Sequence, residues 1–179
     1  MAACGRMRLF FTPENTVRVV EMLFALIIVS ICFGWKDKGV KYSDLNSGDY
    51  DQGGNIVFFM MIGMVSLLFL LCVIIYSMLW IPRVFSPCLD IVISSSMSLL
   101  TFIASVVLAH SLSNLGKSLA VREAGLNFSA LQSALVFGIA LALLFAVSAA
   151  FAVCFYKKKN EMMMGDPRNM ADLPDDIPT

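Results

Sequence analysis

Charge is scarce in this chain. Asp, Glu, Lys and Arg make up 15% of its 179 residues, where a soluble domain carries about 25%. The acids and bases cancel, 13 against 13, so there is no basic field for nucleic acid and no nucleic-acid partner is expected. Histidine occurs once, as His110. A lone histidine with no Cys or acid at ligand spacing argues against a metal centre. It reads instead as a polar group near a membrane interface. The six prolines all lie outside the long apolar segments, so no span is broken in the manner of a transporter. None of the five cysteines falls in a predicted outer loop. This excludes an outer-loop disulfide and, with it, the claudin and tetraspanin designs. No phosphate loop and no nucleophile–base pair is visible; "GGN" at 53–55 is too short to count. No enzymatic activity and no cofactor are expected.

Apolar residues fill the gap. They are 59% of the chain, and its mean hydropathy is +0.81. A soluble protein of this size would have to expose much of that surface; a bilayer removes the problem. Four apolar segments, at 17–35, 55–81, 89–112 and 131–156, each reach the roughly 20 residues that a helix needs to cross the hydrocarbon. The first is too long for a signal peptide, and no A-x-A pattern follows it; it reads as a retained anchor. The predicted fold is an all-α integral membrane protein, a four-helix antiparallel bundle. Residues 1–12 would precede the membrane domain at 13–156, and 157–179 would form a disordered tail. Trp35 and Trp80, near segment ends, are expected at the interface. The polar loops at 36–54 and 113–130 carry too few apolar residues to build a folded ectodomain of their own.

Four spans put both termini on one side. That side carries Arg6, Arg8, Arg18, Arg83, Lys157, Lys158, Lys159 and Arg168, while the other loops carry Lys36, Lys38, Lys41, Lys117 and Arg122. The positive-inside rule therefore makes both termini cytosolic. "PRVFSP" at 82–87 is a short connection that folds the second and third spans into a hairpin. Cys4, Cys88 and Cys154 then lie on the cytosolic side near span ends, as candidates for palmitoylation. Asn127 heads "NFS", the sole glycosylation sequon, but it lies so close to the fourth span that little glycan is expected.

Charges inside spans are costly and hence informative. Arg18 and Glu21 sit three apart in the first span and share a helix face. Asp90 opens the third span. A first-turn acid complements the helix dipole, and at matching depth Asp90 also pairs with Arg18 across the bundle. In the third span Ser94, Ser98, Thr101, Ser105 and Ala109 fall on one face. In the fourth, Ala130, Ala134, Gly138, Ala142, Ala146 and Ala150 recur every four residues. Such stripes are helix-packing surfaces, with hydroxyls available to bond across the contact. A hydrophilic pore lining is the alternative, but the other spans offer almost no polar residues to complete a water path.

These features together resemble the MARVEL-domain tetraspans, the group of the physins, the gyrins and the myelin-and-lymphocyte-type proteins, with the plant Casparian-strip membrane proteins as relatives. The resemblance runs from about Arg18 to Lys159. It rests on the early basic residue, on the acid opening a small-residue third span ("LDIVISSS"), and on the small-residue fourth span ending in "YKKK". The physins' lumenal cysteines and tyrosine-rich tail are absent. In the Casparian-strip relatives an Arg of the first span and an Asp of the third form a pair, which the resemblance carries to Arg18 and Asp90. It implies a non-enzymatic protein that organises membrane subdomains, vesicle traffic or membrane apposition, in the plasma membrane or in endosomal or secretory vesicles. Membrane lipids and homo- or hetero-oligomeric membrane partners are implied. The alternative is an accessory subunit of a transporter or channel.

Overall fold

The computed structural model describes residues 13–46, 52–78 and 87–164. Helix α1 runs over Pro13–Gly34. A two-stranded ribbon follows, β1 Lys36–Asp37 and β2 Val40–Lys41, and then a 3-10 turn at Asp44–Asn46. Helix α2 is Gly53–Met78, α3 is Pro87–Lys117, the short α4 is Leu119–Ala124, and α5 is Ser129–Met164. Proline opens both α1 and α3, at the position where its missing N–H costs nothing. Four of the helices are long and apolar enough to cross a membrane, over Thr16–Gly34, Gly53–Ile75, Leu89–Lys117 and Ser129–Cys154. The protein is a four-helix membrane bundle, as its hydropathy predicts.

Each span packs on its sequence neighbours, and α5 returns to close the ring against α1; α3 and α5 share the most extensive contact. Thus α1 faces α3, and α2 faces α5, across the diagonals. The large apolar side chains left exposed, among them Leu23, Met61, Leu68, Leu99 and Leu143, form the lipid-facing surface.

Two boundaries depart from expectation. Helix α3 continues past 112 to Lys117, because Leu112 and Leu115 join the buried core. Helix α5 continues to Met164. The expected disorder from 157 is therefore corrected for 157–164; the continuation projects about 15 Å past Cys154 at 1.5 Å per residue. Residues 1–12, 79–86 and 165–179, including Cys4, Trp80 and most of the "PRVFSP" connection, lie outside the described residues.

The two polar loops also do more than connect. Leu45 and Val121 are buried with Trp35 and Phe128 in the same core as the spans. Trp35 is only 5% exposed and stacks on Phe128 at 5.4 Å between centroids. It is a core residue under the loops, not the interface residue that its place at a segment end predicts. Neither loop has a core of its own; they share one.

Candidate functional site

The first turns of α1 and α3 stand at the end of the bundle that carries the chain termini. There Arg18 extends across the diagonal. Its Nη1 donates to Glu21 Oε2 at 3.1 Å. Its Nη2 donates to Asp90 Oδ1 and to Ser94 Oγ, each at 2.8 Å. Ser148 of α5 donates its hydroxyl to the other oxygen of Glu21 at 2.5 Å. Arg18 is 3% exposed, Glu21 0%, and Asp90 25% at the rim.

The geometry follows from chain spacing. Residues 18 and 21 are neighbours on one helix face, as are 90 and 94. The guanidinium is a rigid planar fork with five donors, so it reaches two carboxylates and a hydroxyl together, which a lysine ammonium does less well. Low dielectric strengthens each of these bonds and makes any unpaired member costly. Every donor and acceptor named is aimed at another member of the cluster. What the cluster accomplishes is mutual offsetting of charge, and it thereby ties α1, α3 and α5 at one level.

The local Arg18–Glu21 pair and the long-range Arg18–Asp90 pair are therefore present together. Ser94 belongs to this cluster as well as to the packing stripe. Ser148 was not anticipated; its signal was a hydroxyl in the half of the fourth span that shares a depth with Glu21.

Further along, the stripes meet as predicted and then diverge. Ser98 donates to the Ala142 carbonyl of α5 at 2.8 Å, an interhelical bond. Ser105 donates within its own helix, to the Thr101 carbonyl at 2.8 Å. The Thr101 hydroxyl is buried without a hydrogen-bond partner. Ala134, Gly138 and Ala142 are buried. A Cβ at Gly138 would stand 2.7 Å from Ser105 Oγ and 2.8 Å from the Phe59 ring. Gly138 is thus the point where α2, α3 and α5 touch, and only glycine fits. Ala146 is exposed, as are Ala130 and Ala150 at the two ends of the stripe. This corrects the expectation of an unbroken packed ladder: beside Ala146, α3 and α5 leave a shallow groove of about 250 Å³ lined by Ser95, Ser98, Phe102, Ala142, Leu143 and Ala146. Helices that cross at an angle separate away from the crossing, so a four-residue repeat outruns the contact.

The model of the MARVEL family, described as a membrane-associating domain, matches residues 9–151. The chain belongs to the MARVEL family. The match takes in the first three spans, the fourth as far as residue 151, and every member of the Arg18 cluster. No curated protein and no solved structure matches the chain.

Other anticipated residues of this MARVEL domain stand apart from the cluster. Cys154 is exposed on α5, and Cys32 is buried. Cys88 falls in the first turn of α3, with its side chain outside the described residues. His110 is exposed and lies 3.1 Å from Asn114 Nδ2, one turn along. No three His, Cys, Asp or Glu side chains come together among the described residues to hold a metal.

The opposite end of the domain is tied by the loops. Asn127 is gripped on its main chain: its N–H donates to Asp37 Oδ2 at 2.7 Å, and its carbonyl accepts from Trp35 Nε1 at 3.3 Å. Its side chain accepts from Ser129 N–H at 2.8 Å, capping α5. Lys38 Nζ donates to the Ala124 carbonyl at the end of α4, at 3.0 Å.

Proposed function

We propose that this MARVEL protein is a non-enzymatic organiser of membrane subdomains, vesicle traffic or membrane apposition, acting by lateral association of its helices. One observation carries the reading. The charged groups of the spans turn inward onto one another and onto Ser94 and Ser148, while large apolar side chains line the outward faces. A translocation route needs polar groups along a path through the membrane, with helices broken around it. An apolar outside and a mutually paired inside suit a protein whose working surface faces lipid and neighbouring helices. The α3–α5 groove, floored by small residues, is the face on which another helix could approach closely.

In this proposal both termini and the extension of α5 are cytosolic, supported by the eight-to-five basic asymmetry between the two sides. The membrane is the plasma membrane or an endosomal or secretory vesicle, and Cys154 on that side is open to acylation. Crosslinking in native membranes, followed by identification of the neighbours, tests the reading. Recovery of self-adducts or of several membrane proteins is the expected result. Recovery of one transporter or channel at fixed stoichiometry would select an accessory-subunit role instead. Tags at either end should resist protease in intact cells; cleavage from outside would overturn the orientation.

A further inference from the structure

We infer that a fatty acyl chain carried on Cys154 seats in the α3–α5 groove and closes it to a neighbouring helix. This deepens the lateral-association reading, and it rests on that reading's use of the groove as the associating face and of Cys154 as an acylation site.

The four-residue ladder of the fourth span does not stop at Ala150: its next rung is Cys154. Cys154, Ala150 and Ala146 are all exposed. Ala142, the rung after them, is 4% exposed, and with Ala146 it lines the groove. Residues four apart are neighbours along one line of a helix. The rungs therefore make a continuous track of small side chains that leads from the cysteine into the groove. The adjoining line of α5 is large and exposed: Phe151, Val147, Leu143 and Ile139. Across the groove α3 supplies Leu99 and Phe102. The track is a furrow floored by one row of small side chains between apolar walls. The Ser98 hydroxyl beside the floor is taken up by the Ala142 carbonyl, so it asks for no polar ligand. A single hydrocarbon chain suits both the shape and the chemistry, since each of its methylenes gains by lying against apolar surface.

Position and reach name the source of that chain. Cys154 is the last residue of the apolar window Ser129–Cys154, so a chain on its sulfur turns toward the hydrocarbon and not along the extension of α5. Along the axis Ala146 lies about 12 Å from Cys154 and Ala142 about 18 Å, at 1.5 Å per residue. A fatty acyl chain reaches roughly 15 Å, half the hydrocarbon thickness. Its far end therefore rests between Ala146 and Ala142, in the groove of about 250 Å³. The tether holds it there at a high effective concentration, ahead of free lipid tails. Close helix approach needs the small floor bare, so the seated chain shuts that face. Attachment is a thioester exchange. The Cys154 sulfur bonds to the acyl carbon of a long-chain acyl-coenzyme A, and the bond from that carbon to the coenzyme sulfur breaks. The cysteine's proton leaves on the coenzyme thiol. Hydrolysis of the new thioester returns the acid and the bare thiol, so the closure is reversible.

The test uses the full chain in cells fed a palmitate analogue with a diazirine near its methyl end. After irradiation, adducts should map to 95–102 of α3 or 139–146 of α5 in the same chain, and Cys154→Ser should abolish them. Ala146→Phe, which fills the furrow at a lipid-exposed position, should keep the thioester and lose most of these adducts. Adducts undiminished in either variant overturn the seat. So do adducts to lipid alone, or the lack of a thioester on Cys154. Neighbour crosslinking in the same membranes tests the closure: Cys154→Ser, or cleavage of the wild-type thioester with hydroxylamine, should raise the capture of neighbours. A seated chain with unchanged capture would overturn the closure and the use of this face for association, while leaving the seat standing.

Discussion

At the terminal end of the bundle a single guanidinium is held by two carboxylates and a hydroxyl. At the loop end Trp35, Asp37 and Lys38 hold the segment 124–127 through its main chain. Both ends fasten α1 and the residues just after it to the rest of the bundle, the terminal end to α3 and α5 and the loop end to the chain just before α5, but with different chemistry. The terminal cluster is largely buried, so its strength comes from charge in a low dielectric, and its failure would come from the same source. The loop clasp is partly exposed to water. Its bonds exchange with solvent bonds, and each is worth about 0.5–1.5 kcal/mol net. One end is closed by a few strong, interdependent contacts, the other by several weak, separable ones.

Removing Arg18 should therefore give the largest effect. Arg18→Ala strands Glu21, which is fully buried, and breaking a buried pair costs about 3–5 kcal/mol. The folded fraction in detergent should fall accordingly. Asp90 is at the rim, so Asp90→Asn should cost about 1–2 kcal/mol, reduced by access to water. A double-mutant cycle on the two should be strongly non-additive. The exchange Arg18→Asp with Asp90→Arg should fail to rescue, because it sets a second carboxylate beside Glu21. Strict additivity would reduce the cluster to independent contacts and erase the contrast between the ends.

Between the two ends, Gly138→Ala should cost about 1–3 kcal/mol by overpacking against Phe59 and Ser105. Rescue by Phe59→Leu, read as recovery of thermal stability, would show that the clash is with the ring. Asp37→Ala, at the loop end, should cost about 1 kcal/mol, and its effect should add to that of Lys38→Ala. Coupling between those two as strong as at the terminal end would break the comparison.

Two smaller outcomes sharpen it. Thr101→Val should be neutral or slightly stabilising, since the buried hydroxyl has no hydrogen-bond partner. A loss comparable to that of Gly138→Ala would mean that the hydroxyl is bonded in the membrane. Asn127 should carry little or no glycan: its main chain is clasped by loop one, and its side chain caps α5. A complete mobility shift on glycosidase treatment would show that the clasp forms only after modification, or not at all.

Much of this was legible from the sequence. Length and hydropathy define the four spans because hydrocarbon thickness is a fixed external ruler. Arg18, Glu21 and Asp90 stand out because charges in spans are rare and each needs a partner. Ser148 was not legible, since a lone serine in a span bonds its own helix as readily as a neighbour: Ser66, Ser96 and Ser133 do so here. The role of Trp35 was hidden for a related reason. A tryptophan at a span end suits the interface, and only the second loop, some 90 residues away, supplies the Phe128 ring that buries it. The helix beyond Tyr156 leaves no such mark: "NEMMM" at 160–164 has no apolar period, and α5 continues through it without one.

By itself the sequence determined that the chain spans a membrane four times, that a cation of the first span needs an acid at its own depth, and that the third and fourth spans carry small faces. These are local properties, set by transfer free energies and helical spacing. The tertiary structure alone decided which partners those groups take. It brings Glu21 to Ser148, seats Gly138 against Phe59, lets Ala146 fall outside the contact, and lays Tyr42 against Phe33. Each depends on how helices cross and loops fold back, which is governed by close packing among distant residues and leaves no periodic mark along the chain.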